Sequence, residues 1–130
     1  MARRSHPGLT LLEVVLASAL LVAAAVPILN AATRAVTLAQ EIDWRTRATF
    51  LAQREMENVL AVAAENYSQD FTRNSADLGD RYRVTVQQSL LTALKKKISV
   101  RVGRDKNGNA ILDDSEVLAT LGTIVANRGN

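Results

Sequence analysis

Leu9-Thr10-Leu11-Leu12-Glu13-Val14-Val15-Leu16-Ala17-Ser18-Ala19-Leu20-Leu21-Val22-Ala23-Ala24-Ala25-Val26-Pro27-Ile28-Leu29 carries a single charge, Glu13, in an otherwise apolar run. Extended to Ala32 it rises about 36 Å as a helix, more than the roughly 30 Å hydrocarbon core of a bilayer. Its alanines and leucines favour helix. Arg3 and Arg4 precede it and Arg34 follows. The denser basic flank predicts a cytoplasmic N-terminus with the remainder outside. Pro27 lacks an amide hydrogen and predicts a bend or local opening at Ala23–Ala25.

The helix is expected to continue beyond the apolar run. Leu38, Ile42, Arg45/Thr46, Thr49/Phe50, Gln53, Met56, Val59/Leu60 and Ala63 recur at steps of three and four, forming a mostly apolar stripe. Asp43 and Arg47 are among the charged pairs at i,i+4 spacing. Asn66-Tyr67-Ser68 is the expected stop. Trp44 reads equally as an interfacial anchor or as a packing residue.

Composition changes after that point. Five of the six glycines lie beyond residue 66. Residues 68–80 form a polar loop with Gly79-Asp80 as its turn. Arg81-Tyr82-Arg83-Val84-Thr85-Val86-Gln87 alternates, as does Ile98-Ser99-Val100-Arg101-Val102, and each predicts a strand with one apolar face. Leu90 to Leu94 is a strand extension or a turn, and Lys95-Lys96-Lys97 reads as a solvated turn. A third strand spans Val117 to Ala126, with Gly122 as a bulge or kink. Three antiparallel strands with one apolar face need a cover, which the helix stripe supplies. The expected fold class is α+β, with a long N-terminal helix, membrane-spanning in its first half, packed on a small antiparallel sheet.

Several functions are disfavoured by composition. The chain has no cysteine, and its one histidine is His6. Without residues 1–8, 14 Lys and Arg face 13 Asp and Glu, not the clear basic excess of a nucleic-acid binder. Carboxylates such as Asp77, Asp80, Asp113 and Asp114 have no base or nucleophile grouped with them in sequence, so no enzyme activity is expected.

Glu13 is the informative anomaly. A carboxylate inside a membrane helix costs about 3 kcal/mol near the centre and less toward an end, and such groups are usually paired. No Lys or Arg lies three or four residues away. Cleavage after Gly8 would give Leu9 a free amine of pKa about 8, cationic at neutral pH. That amine and Glu13 of a neighbouring subunit would neutralise each other in lipid. An ordinary signal peptide, cut near Asn30-Ala31-Ala32, is the plainer alternative, but it explains neither the carboxylate nor the continuing helix.

Gly8-Leu9-Thr10-Leu11-Leu12-Glu13-Val14, after a short basic leader, resembles the prepilin peptidase signal of type IV pilins and type II secretion pseudopilins. The resemblance implies cleavage between Gly8 and Leu9, N-methylation of Leu9 and an assembly role for Glu13. Leu9 departs from the usual phenylalanine. The implied divisions are a leader at 1–8, a transmembrane half-helix at 9–32, a periplasmic half at 33–67 and a β-rich head at 68–130, together a pilin fold. Phe50-Leu51-Ala52-Gln53-Arg54-Glu55-Met56-Glu57-Asn58-Val59 and Leu94 to Val102 resemble stretches of I-type minor pseudopilins and PilV-type minor pilins. The implied function is a minor pseudopilin at the tip of a type II secretion pseudopilus, with a PilV-type minor pilin as the alternative. Implied partners are J- and K-type or other minor pilins, the prepilin peptidase, the inner-membrane assembly platform and membrane lipid. The implied location is the bacterial inner membrane, with the head in the periplasm. From another class, a secreted or membrane-anchored monomeric binding module is the rival.

Residues 105–116 overlay the twelve-residue EF-hand loop. The oxygen ligands for Ca2+ would be Asp105, Asn107, Asn109, the Ile111 carbonyl, Asp113 through water, and Glu116. Ala110 stands where the pattern wants glycine, and the flanks read as strands, so any calcium affinity is expected to be weak. A plain Asn-Gly hairpin turn with solvated acids is the alternative.

Overall fold

The computed structural model describes residues 10–127. Gly8, Leu9 and the leader lie outside the described residues. The chain divides into two compact units, Met1–Gln40 and Glu41–Asn130. Helix α1, Leu11–Glu65, contributes to both and continues as helix on either side of Pro27.

Among the described residues of the first unit every large apolar side chain is exposed, from Leu11 at 84% down to Val14 at 51%. By length and composition α1 can cross a membrane here. The hydroxyls of Ser18 and Thr33 donate to the carbonyls of Val15 and Leu29 at 2.8 and 2.9 Å. Such internal bonding satisfies hydroxyls where no water is at hand.

The second unit is the last part of α1 and one antiparallel sheet in the order β1-β2-β3-β4. The strands are β1 Arg73–Gly79, β2 Tyr82–Thr92, β3 Lys95–Arg104 and β4 Val117–Ala126. The α+β class therefore holds, with four strands rather than three. Strand β1 lies within the segment expected to be loop, and its polar sequence hides it. It pairs with β2 through two register shifts, and Ser75 takes a positive φ of 50°. Residues 90–92 extend β2, and Ala93 and Leu94 make the turn.

Alternation builds the core. Val84, Val86, Ile98, Val100 and Val102 are fully buried on the inner face of the sheet, beside Tyr82 and Phe71. The helix contributes Ala48, Ala52, Met56, Val59 and Ala63. Here the expected stripe is half right. Met56, Val59 and Ala63 are buried, but Thr49, Phe50 and Gln53 face solvent, as do Leu38 and Ile42. The sheet packs on small alanines, which let two backbones approach, and leaves the larger Phe50 65% exposed. Trp44 is a packing residue: Arg104 stacks 4.6 Å from its ring centre and Tyr82 Oη donates to its carbonyl at 3.5 Å.

Two further expectations are corrected. Lys95-Lys96-Lys97 is not a solvated turn but the start of β3. Lys96 is buried, and its Nζ donates to the carbonyls of Tyr67 and Gln69 at 2.6 and 3.3 Å. The ammonium also lies 4.8 Å from the Tyr67 ring centre. Gly122 is not a bulge; it pairs regularly with Ser99, and the β3–β4 irregularity falls between Val102 and Gly103.

Candidate functional site

Two places carry the chemistry singled out in the sequence. The first is the start of α1. Thr10 caps the helix, its Oγ1 accepting from the Glu13 amide at 3.3 Å and its carbonyl accepting from the Glu13 and Val14 amides. Glu13 thus occupies the first turn, where the positive end of the helix dipole favours a carboxylate. That position lowers the cost of the charge without removing it. The side chain is exposed. Its expected partner, the Leu9 amine, lies outside the described residues.

The second is the β3–β4 connection, residues 105–116. Asp105, buried at the end of β3, accepts from the amides of Gly108 and Ala110 at 2.6 and 2.9 Å. Arg83 Nε reaches its Oδ2 at 3.4 Å. Burial pushes the Asp105 carboxyl upward, but the two amides and the Arg83 guanidinium outweigh it and hold the carboxyl below its ordinary range. Asn107 and Asn109 each accept from the amide two residues on, at 3.0 and 2.8 Å. Their side-chain amides donate to Asp113 at 3.0 and 3.4 Å. Glu116, buried at the far end, accepts from the amides of Lys106, Asn107 and Asp113 at 2.8, 3.3 and 3.4 Å. Ile111 is largely exposed.

Ala110 takes φ 62°, so alanine does adopt the sharp turn that the calcium pattern assigns to glycine. The oxygens of Asp105 and Glu116 serve backbone amides, and among the described residues no three His, Cys, Asp or Glu side chains gather as a metal-ligand group. What the loop does chemically is close on itself.

Three residues of this site were not foreseen. Ser75 Oγ accepts from the Leu112 amide at 2.9 Å, and its carbonyl accepts from Arg83 at 2.9 Å. Arg83 therefore ties β1 to Asp105. Gly103 lets the returning chain lie against β3, since a Cβ there would press into the Glu116 carbonyl and the Leu112 side chain. Glycine within a strand is a sequence signal for such close approach, and it went to Gly122 instead. Nothing in the sequence marks Ser75 or Arg83.

No family model, curated protein or solved structure among those compared with this chain matches it.

Proposed function

We propose that this chain is a membrane-anchored, pilin-like assembly subunit with a structural and not a catalytic role. The observation that carries it is the division of labour along one 55-residue helix. Its first part is apolar and exposed on every side, with Glu13 in its first turn; its last part is the spine of a small sheet domain. A secreted monomeric module has no use for so extended an uncovered segment. Within the pilin-like class, the proposal is a minor pseudopilin at the tip of a type II secretion pseudopilus. It sits in the bacterial inner membrane with its head in the periplasm. Processing follows Gly8, and the Leu9 amine pairs with Glu13 of the neighbouring subunit. Intact-mass measurement of the membrane fraction tests it. Loss of residues 1–8 with one added methyl supports the proposal, and cleavage near Ala32 or none at all overturns it. Glu13→Ala is expected to leave processing intact and to abolish co-purification with other pilin-like subunits.

The left-handed turn at Ala110 favours a second reading, weak calcium binding by residues 105–116. The ion would have to share the Asp105 and Glu116 oxygens with backbone amides, which limits affinity. A melting temperature that rises with millimolar calcium and falls again on chelation supports this; an unchanged one rejects it.

A further inference from the structure

The turn between β1 and β2 is strained, and it stands beside the chain's single tryptophan. Gly79 pairs with Tyr82, so Asp80 and Arg81 are the two turning residues, at φ 50° and 66°. A two-residue hairpin turn with both φ values positive is the one that Asn-Gly or Asp-Gly makes freely. Asp80 fits that preference; an arginine in the second position does not. The Arg81 carbonyl accepts from the Asp105 amide at 2.8 Å, a bond that glycine would make equally well. Backbone pairing therefore explains the turn but not the arginine side chain. Strain of this kind collects where a side chain is used.

That side chain lines a cleft of about 490 Å³, together with Trp44, Tyr82 and Arg104. Arg104 stacks 4.6 Å from the Trp44 ring centre, which holds the guanidinium without neutralising it. Arg47 and Asp43 line the cleft too, but they pair with each other at 3.2 Å. Among the described residues, neither Arg81 nor Arg104 has an acidic partner. Asp80, the remaining carboxylate of the cleft, sets one negative charge against their two positive ones.

An apolar trough of about 450 Å³ adjoins this cleft and shares Arg47, Asp80 and Tyr82 with it. Phe50 and Leu51 line the trough from α1, and Leu78 lines it from β1. Phe50 is the large side chain left uncovered on this part of the helix.

We propose that the joined clefts dock an extended segment of a different polypeptide, with an apolar side chain in the Phe50 trough and carboxylates on Arg81 and Arg104. Charge complementarity selects the acid, because two guanidiniums without partners offer the paired N–H donors that carboxylates take. The trough selects a polypeptide over a free anion, which would leave Phe50 and Leu78 uncovered. A nucleic acid needs a broader basic face than three arginines among two aspartates. Every residue involved belongs to the sheet unit, so the proposal is independent of cleavage after Gly8 and of the membrane-fraction mass.

The test uses the full chain in uncharged detergent micelles and reads the emission of Trp44. The probes are capped peptides that join Leu-Gly-Leu to Asp-Gly-Asp in either order. At least one order is expected to change the emission saturably, and to bind more weakly as salt rises. Peptides with Asn for Asp, or with Ser for Leu, are each expected to bind at least about tenfold more weakly, as the loss of one anchor implies. Arg81→Gly is expected to raise the melting temperature and to weaken binding at least about tenfold, a combination that misfolding does not produce. Arg81→Asn, which also tolerates positive φ, repeats the test if glycine loosens the turn. No saturable change with either peptide, or undiminished binding by both Arg81 variants, overturns the proposal. An equal response to inorganic phosphate, or to micelles doped with phosphatidylglycerol, overturns it in favour of a free or lipid-borne anion. Emission that shifts with protein concentration alone overturns it in favour of a second copy.

Discussion

Lys96 Nζ lies 2.6 Å from the carbonyl of Tyr67 and 4.8 Å from the centre of the Tyr67 ring. One strand residue thereby holds the segment that leaves the helix. Lys96→Met keeps the length of the stem and removes the donor, leaving two carbonyls without it. It is expected to cost about 1–3 kcal/mol in denaturant unfolding. Lys97→Met, on the exposed face, is expected to change stability by less than about 0.5 kcal/mol. Equal effects would refute the tie.

Asp105 predicts acid sensitivity. Its folded pKa is depressed, so its contribution is full above the ordinary carboxylate range, near pH 4, and is lost as pH falls through the lower folded value. The melting temperature of the parent protein should exceed that of Asp105→Asn at pH 7, and the two should converge as pH drops below about 4. Parallel curves across that window would show that the carboxylate charge is immaterial.

Gly103→Ala forces a Cβ into the Glu116 carbonyl and the Leu112 side chain. The loss expected is about 1–3 kcal/mol, the scale of overpacking. Gly122→Ala meets only the Ile98 carbonyl at 3.9 Å and should be nearly neutral. Thermal melts of the two variants decide it.

Ala110→Gly relieves the positive φ at 62° while keeping the amide that bonds to Asp105. It should stabilise the head by up to about 1 kcal/mol, since the left-handed conformation costs an L-residue about 1–2 kcal/mol and glycine returns part of that as chain entropy. If the loop takes calcium, the same change should steepen the calcium-dependent rise in melting temperature.

The helix and the two central strands were legible because apolar runs and strict alternation depend on local spacing alone. Glu65 ends the helix where Asn66-Tyr67-Ser68 suggested, with Asn66 accepting from the Ser68 amide at 3.1 Å. Strand β1 was not legible, because Arg73-Asn74-Ser75-Ala76-Asp77 is polar and its pairing is imposed by β2. The buried helix face was half legible for a related reason. Over its full length α1 has almost no amphipathic signal, and alanines are as common on one side as on another. Which alanines are covered is decided by the sheet. The loop at 105–116 was legible in its turn and its oxygen spacing, whereas the Ser75–Arg83–Asp105 connection joins residues far apart in sequence and has no local trace.

The alanine face of α1 has a consequence for how this head can change over generations. Ala48 and Ala52 are fully enclosed, so enlarging either would displace a whole sheet. Thr49, Phe50 and Gln53, on the same turns, touch water and carry none of that constraint. A lineage can therefore rewrite the outer side of the helix, and whatever it meets there, while the architecture beneath stays in place.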